Sequence, residues 1–259
     1  MPEGDMVWAA GRRLREALDG RVLTRSEFRV PRHATSDLRG RRVLTTESRG
    51  KHLLTRVEGG LTVHTHLRME GRWRVEPAGR RTPPGDVVRL VLANSEWQAV
   101  GVRLGEVDLL RTEDEERLVG HLGPDPLGRD WDAEEAVRRL RAFPGTIGEA
   151  LLDQRNLAGL GTIYRAEVLF LRGVNPWRPT GEIADLPGLV ALAHRLLTAN
   201  RDRPGIITTG DRRPGQENWV YGRAGRACRR CGTPVRRADL GPGPYDRVVY
   251  WCPRCQPEP

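Results

Sequence analysis

The spacing of hydrophobic and polar positions changes character along this chain, and each change marks a part of it. Over residues 5 to 18, DMVWAAGRRLREAL, the apolar residues Val7, Ala10, Leu14 and Ala17 or Leu18 fall on one stripe, which predicts an amphipathic helix with Asp5 available as its cap. From about 20 to 122 the texture shifts to short β-branched runs broken by turns: RVLTRSEFRV, RRVLTTES, KHLLTRVEGGLTVHTHL, GRWRVE, VVRLVLANSEWQAVGVRL and GEVDLLRT. Leu61, Val63, Thr65 and Leu67 alternate with Thr62, His64 and His66, as antiparallel strands do, and Glu58-Gly59-Gly60 reads as a hairpin turn. A two-sheet sandwich is the expected result.

The stretch GPDPLGRD, 123 to 130, has the proline and glycine punctuation of a linker. Beyond it the period becomes helical, in AEEAVRRLRAF, TIGEALLDQ, IYRAEVLFLRG and LPGLVALAHRLLTAN. Residues 205 to 225 are polar and turn-rich and read as a loop before a terminal module. The fold class is therefore α+β and multidomain: a sandwich domain over 1–124, a helical domain over 125–222 and a small module over 223–259.

Charge narrows the partners. The formal net charge of +9 favours a polyanion, a nucleic acid backbone or an acidic lipid surface. No apolar run approaches the roughly 20 residues of a membrane-spanning helix, and the first residues lack the order of a signal peptide, so a soluble cytoplasmic protein is expected.

All four cysteines lie near the C-terminal end, as Cys228-x2-Cys231 and Cys252-x2-Cys255. This spacing suits one zinc ion held by four thiolates on two tight turns; a pair of disulfides in a secreted protein is the alternative.

Of the 43 lysines and arginines, Lys51 in SRGKHLLTR is the one lysine. Either it is drift on a solvated strand, or its position requires a compact point charge where a planar fork does not fit. At the start, Met1 precedes Pro2, a residue small enough for methionine removal to be expected, which would expose a secondary amine able to form an iminium with an electrophilic carbon. Glu3 could move a proton at the same carbon. A frayed end is the plain alternative. In LLDQRNLAGLGTIYRAEVLF, 151 to 170, Gly159 and Gly161 precede a helix whose first N–H groups could meet phosphate, or they serve as caps of an ordinary helical hairpin.

MPEG at the start, GKHLL, HLRMEG at 66 to 71, LLDQRNLAGLGTIYRAE, VYGR at 220 to 223 and the four-cysteine terminus occur in one order over nearly the whole chain. Together they resemble the formamidopyrimidine-DNA glycosylase and endonuclease VIII family. The resemblance implies a two-sheet sandwich opened by the first helix, a helix, two-turn, helix DNA-binding domain and a zinc ribbon. It implies a bifunctional DNA glycosylase and lyase of base excision repair, acting as a monomer on duplexes with oxidised bases or abasic sites. Carried over residue by residue, Pro2 attacks the sugar C1′, Glu3 assists ring opening and base departure, and Lys51 contacts phosphate and assists catalysis. Arg247 grips the phosphate of the flipped nucleotide. Met69, with Arg68 and Glu70 beside it, is the wedge that fills the vacated stack, or else a core methionine. Gly161, Thr162, Tyr221 and Arg223 complete the DNA face, and Cys228, Cys231, Cys252 and Cys255 hold one structural zinc ion. Strand cutting follows by β-elimination and then δ-elimination.

Thr162 stands where the family usually has asparagine, and Met6 where it has a second glutamate. GVRLGEVDL, 101 to 109, lacks the arginine and phenylalanine pair of the purine-selective branch. The last of these departures, together with PEGD at the start, favours the endonuclease VIII-like branch and oxidised pyrimidines. An oxidised-purine enzyme on the same scaffold and a non-catalytic binder of damaged DNA are the alternatives.

Overall fold

The apolar stripe near the start folds as expected: α1 runs from Gly4 to Leu18 and buries Val7, Leu14, Ala17 and Leu18. It belongs to a computed structural model that describes residues 2–82, 85–241 and 248–258. The cap differs from expectation. The N-cap position is Glu3, and Asp5 lies buried inside the first turn, where a carboxylate suits the positive end of the helix.

The β-branched runs form eight strands: β1 (Arg25–Phe28), β2 (Val43–Arg49), β3 (His52–Val57), β4 (Leu61–His66), β5 (Arg72–Pro77), β6 (Val88–Ala93), β7 (Trp97–Val102) and β8 (Glu106–Arg111). They pair antiparallel in two four-stranded sheets, ordered β1-β6-β7-β5 and β2-β3-β4-β8. Val63 and Leu67 enter a core shared with α1, Phe28, Leu53, Leu90 and Leu92, so the alternation along β4 does select an inner face. Its other face is not solvated. Thr62 and His64 are both fully buried, His64 against His52 and Thr62 beneath the residues that follow β8. There Glu115, just before the one-turn helix α2 (Glu116–Val119), accepts from Thr62 Oγ1 at 2.5 Å and from the Arg56 guanidinium at 2.7 Å.

The chain divides into two compact units, 1–121 and 122–259. The second contains α3 (Ala133–Ala142), α4 (Ile147–Ala150), α5 (Thr162–Arg172) and α6 (Leu186–Asn200). Three of the four starts are marked in the sequence: Asp132 and Asp185 cap α3 and α6, and Thr146 with Glu149 forms a reciprocal capping box on α4. Gly173 ends α5 in the left-handed region at φ +68°.

The first half of the segment read as a linker is packed, and only its end, Arg129 and Asp130, is exposed. Residues 122–126 are buried, with Gly123 N–H donating to Gln154 O at 2.8 Å and Ala158 N–H to Pro124 O at 3.0 Å. Proline and glycine there make a turn that docks on the two-turn segment between α4 and α5. The terminal module carries a two-stranded hairpin, β9 (Arg236–Asp239) with β10 (Val248–Trp251). It lies in the same unit as the helices: Cys228, Val235 and Cys252 share a cluster with Phe170 of α5 and Val220. The fully buried Arg165 of α5 donates to Val248 O at 2.7 Å.

Candidate active site

Lys51 sits in a two-residue turn. Arg49 of β2 pairs with His52 of β3, leaving Gly50 and Lys51 between them, and Gly50 takes φ +57°. Glycine at the first central position is what the mirror-image hairpin turn requires, so SRGKHLL encodes a sharp tip with the lysine on it.

Three contacts set the direction of that tip relative to α1. Gly20 N–H donates to Val43 O at 2.8 Å, Arg15 Nε donates to Thr46 O at 3.0 Å, and a Cβ placed on Gly11 would lie 3.8 Å from that of Ser48. The same Cβ would stand 3.0 Å from Leu53 Cδ2, a tight contact that the bare Gly11 avoids. As β2 advances, its partners step back along α1, and helix and strand run antiparallel. The tip with Lys51 therefore points toward the first turn of α1, where Pro2 and Glu3 lie. Pro2 is buried, Glu3 is fully buried and Lys51 is 8% exposed. The Glu3 backbone carbonyl accepts the Val7 N–H at 3.1 Å, while its carboxylate caps no helix N–H. Pro2, the Glu3 side chain and the Lys51 ammonium thus share one end of the sandwich.

HLRMEG forms a turn at the same end of β4. Gly71 N–H donates to Leu67 O at 2.9 Å, and a Cβ on Gly71 would meet that oxygen at 2.2 Å, so no other residue fits. Met69 is 61% exposed, which removes the core alternative for it. Arg68 is in the left-handed region at φ +53°, its N–H donates to His66 Nδ1 at 3.0 Å and its guanidinium pairs with Glu106. Glu70 pairs with Arg103 at 2.9 Å.

Three histidines gather behind this turn, two of them polar positions of β4 and the third, His52, opposite His66 on β3. Burial first, then the neighbouring imidazoles and Arg68, pushes His52 down to about 3; burial and then Arg68 push His66 to about 4, and burial also lowers His64. Their folded pKa values lie below those of the unfolded chain, so the unfolded chain binds more protons as pH falls below about 6.5. The stability they contribute is complete above that pH and is lost on acidification toward their folded values. Going from about pH 7.5 to about pH 5 is expected to cost about 2 kcal/mol for each of His52 and His66. Urea denaturation of native protein and of a His52→Asn variant measures this: the variant's midpoint should depend less on pH, and equal slopes would contradict the assignment.

In the second unit, the carboxamide of Gln154 organises the two turns between α4 and α5. It donates to Leu152 O and Leu160 O, both at 2.9 Å, and accepts from Gly159 N–H at 2.9 Å. Gly161 is the N-cap of α5 and Thr162 its first residue, 8% exposed. Glu167, one turn and a half further along, is fully buried and accepts the N–H groups of Trp219 at 2.7 Å, Val220 at 2.9 Å and Tyr221 at 2.8 Å. A single carboxylate thereby holds the WVYG segment, and only its position in YRAE hinted at such a role. Tyr221 meets Tyr250 edge to face at 5.1 Å. Arg223 turns toward the cysteine module, donating to Ala227 O at 2.8 Å, so it braces that module. Arg247 lies outside the described residues.

The four sulfurs of Cys228, Cys231, Cys252 and Cys255 lie within 4.8 Å of one another, and none is bonded to another. Cys231 and Cys252 Sγ are 3.4 Å apart, and Cys228 and Cys255 Sγ 4.0 Å. Thiolates at 2.3 Å from a central zinc ion would be separated by about 3.8 Å, so the four residues fit a tetrahedral metal ion and the disulfide alternative falls.

The geometry agrees with relationships across the whole chain. Residues 1–108 match the formamidopyrimidine-DNA glycosylase N-terminal domain and residues 122–196 the H2TH domain of the same glycosylase. The chain belongs to the formamidopyrimidine-DNA glycosylase family. It is 60% identical to a probable endonuclease 8 2 of Streptomyces coelicolor, over 100% of this chain and 95% of that protein. It is 44% identical to the DNA-(apurinic or apyrimidinic site) lyase Nei2 of Mycolicibacterium smegmatis, over 99% of each. Among solved structures, the glycosylase of Lactococcus lactis in complex with DNA containing N7-benzyl-Fapy-dG superposes with a TM-score of 0.80 at 26% identity, covering 99% of this chain and 100% of that one.

Proposed function

We propose that the protein is a bifunctional DNA glycosylase and abasic-site lyase that removes oxidised bases, pyrimidines preferred, and then cuts the strand. The observation that carries the reading is the Lys51 tip turned toward the buried Pro2 and Glu3 at the start of α1. With Met1 removed, the Pro2 nitrogen supplies its lone pair to the sugar C1′ as the bond to the base breaks. Glu3 delivers a proton that lets the sugar ring open, and an iminium joins protein to DNA. Loss of a proton from C2′ then expels the 3′ phosphate, and a second elimination releases the 5′ side. Lys51 holds a phosphate as a compact cation, while exposed Met69 takes the place of the flipped nucleotide. The amides at the start of α5 and the segment held by Glu167 bind the DNA backbone from the second unit. One zinc ion in the cysteine cluster gives the β9–β10 hairpin its shape. The pyrimidine preference is supported by the similarity to an endonuclease 8 and to Nei2, in line with the endonuclease VIII-like departure in GVRLGEVDL.

Borohydride reduction during incubation with an abasic duplex tests this. A covalent adduct mapped to Pro2 is the expected product. Protein whose mass shows Pro2 as its first residue, yet which yields no adduct, would leave only the binding alternative.

A further inference from the structure

Beside the Lys51 turn lies a stack of imidazoles that the steps above do not use. His52, His64 and His66 share the outer face of β3 and β4, with His52 opposite His66 and His64 opposite Leu54. The His52 and His64 rings stack at 5.1 Å, and His66 meets His52 edge to face at 4.9 Å. One hydrogen bond joins them, between His52 Nδ1 and His64 Nε2 at 2.9 Å. The charged or titratable groups around the stack are Lys51, Arg68 and His121, with Glu106 and Asp108 on β8.

Burial keeps the three rings neutral at physiological pH, so the shared bond contains one proton. Its owner follows from the far ends of the rings. His64 is fully buried and its Nδ1 has no partner. A sealed N–H without an acceptor is rarer and dearer than a bare acceptor nitrogen, so His64 bears its proton on Nε2 and donates to His52 Nδ1. His52 is thereby obliged to carry its own proton on Nε2. His66 reaches the same form by another route, since its Nδ1 accepts the Arg68 N–H at 3.0 Å. Neither Nε2 is hydrogen-bonded among the described residues, and both rings are half-buried.

We propose that His64 is a positioning residue that locks His52 in its Nε2–H form, making His52 a neutral donor, beside the Lys51 cation, to an anionic oxygen of the DNA backbone. The inference rests on the repair reading for its ligand but not for its tautomers. A neutral donor adds direction to a site where Lys51 supplies only charge.

Long-range proton–nitrogen NMR of the imidazoles in the free protein is expected to show His52 and His66 protonated on Nε2. His64→Leu should release His52 into a mixture of tautomers, and His64→Gln, whose amide can donate from nearly the same place, should preserve the native form. His52 found protonated on Nδ1 in the native protein overturns the proposal whether or not DNA is the ligand. With a preformed abasic duplex, His52→Leu should raise KM about tenfold, the usual loss for one hydrogen bond to a charged group, with kcat within about twofold. His64→Leu should share the rise in KM and His64→Gln should not; an unchanged KM in His52→Leu also overturns it. Failure of borohydride trapping by the native protein would remove the repair reading while leaving the NMR result standing.

Discussion

Glu3→Gln should slow excision of an oxidised base by about two to four orders of magnitude, the range spanned by general acid–base assistance. Glutamine keeps the shape of the side chain and can still form hydrogen bonds, but it has no proton of suitable acidity to deliver. Glu3 is fully buried at the N-cap of α1, and glutamine fills the same volume there. Unfolding is therefore not the expected cause of the loss, and an unchanged melting temperature would confirm it. Cutting at a preformed abasic site should fall much less, because that sugar opens without losing a base and Pro2 still forms its iminium. Single-turnover rates on the two substrates make the comparison. Equal losses on both would contradict the role given to Glu3.

The second large effect is expected from Cys252→Ser. Cys252 is fully buried against Phe170 and Val220, and its sulfur is one of four placed for a single ion. Structural zinc supplies about 10 kcal/mol or more of folding free energy to small modules of this kind, more than a two-stranded hairpin retains without it. The variant should lose its metal, and β9 and β10 should separate. Arg230, stacked over Phe170 at 4.6 Å, would go with them. Affinity for an abasic duplex should fall about tenfold or more, since several basic residues would leave the backbone together. Metal analysis and fluorescence anisotropy measure both outcomes. The β-sandwich of the first unit has its own core and should melt as before. Retained zinc, or unchanged affinity, would show that these cysteines do not order a DNA-binding surface.

The features legible in the sequence are those set by neighbours along the chain. The stripe of Val7, Leu14 and Leu18 specifies α1, Gly50 before Lys51 specifies a sharp hairpin, and paired CxxC turns specify a metal cluster, because each depends on local backbone preference or side-chain period. The same logic located the helices after residue 130 and the alternation of β4. Motifs in order along the chain were enough to mark Pro2, Glu3 and Lys51 as candidates, but not to bring them together.

That was decided by packing. The antiparallel run of α1 against β2, permitted by the bare face of Gly11, turns the Lys51 tip toward Glu3, and nothing within either segment encodes the other's direction. Burial of Thr62 on the polar face of β4 likewise depends on Glu115, which reaches it across 53 residues of sequence. Glu167 and the WVYG segment, and the docking of Gly123 on Gln154, are further pairings of distant groups. Sequence by itself determined the elements, the turns and the metal-binding spacing, since those follow from the torsional and periodic preferences of adjacent residues. Only the tertiary structure decided which polar groups leave water and which lie side by side, because desolvation and hydrogen bonding are settled by whatever chain arrives on top of them.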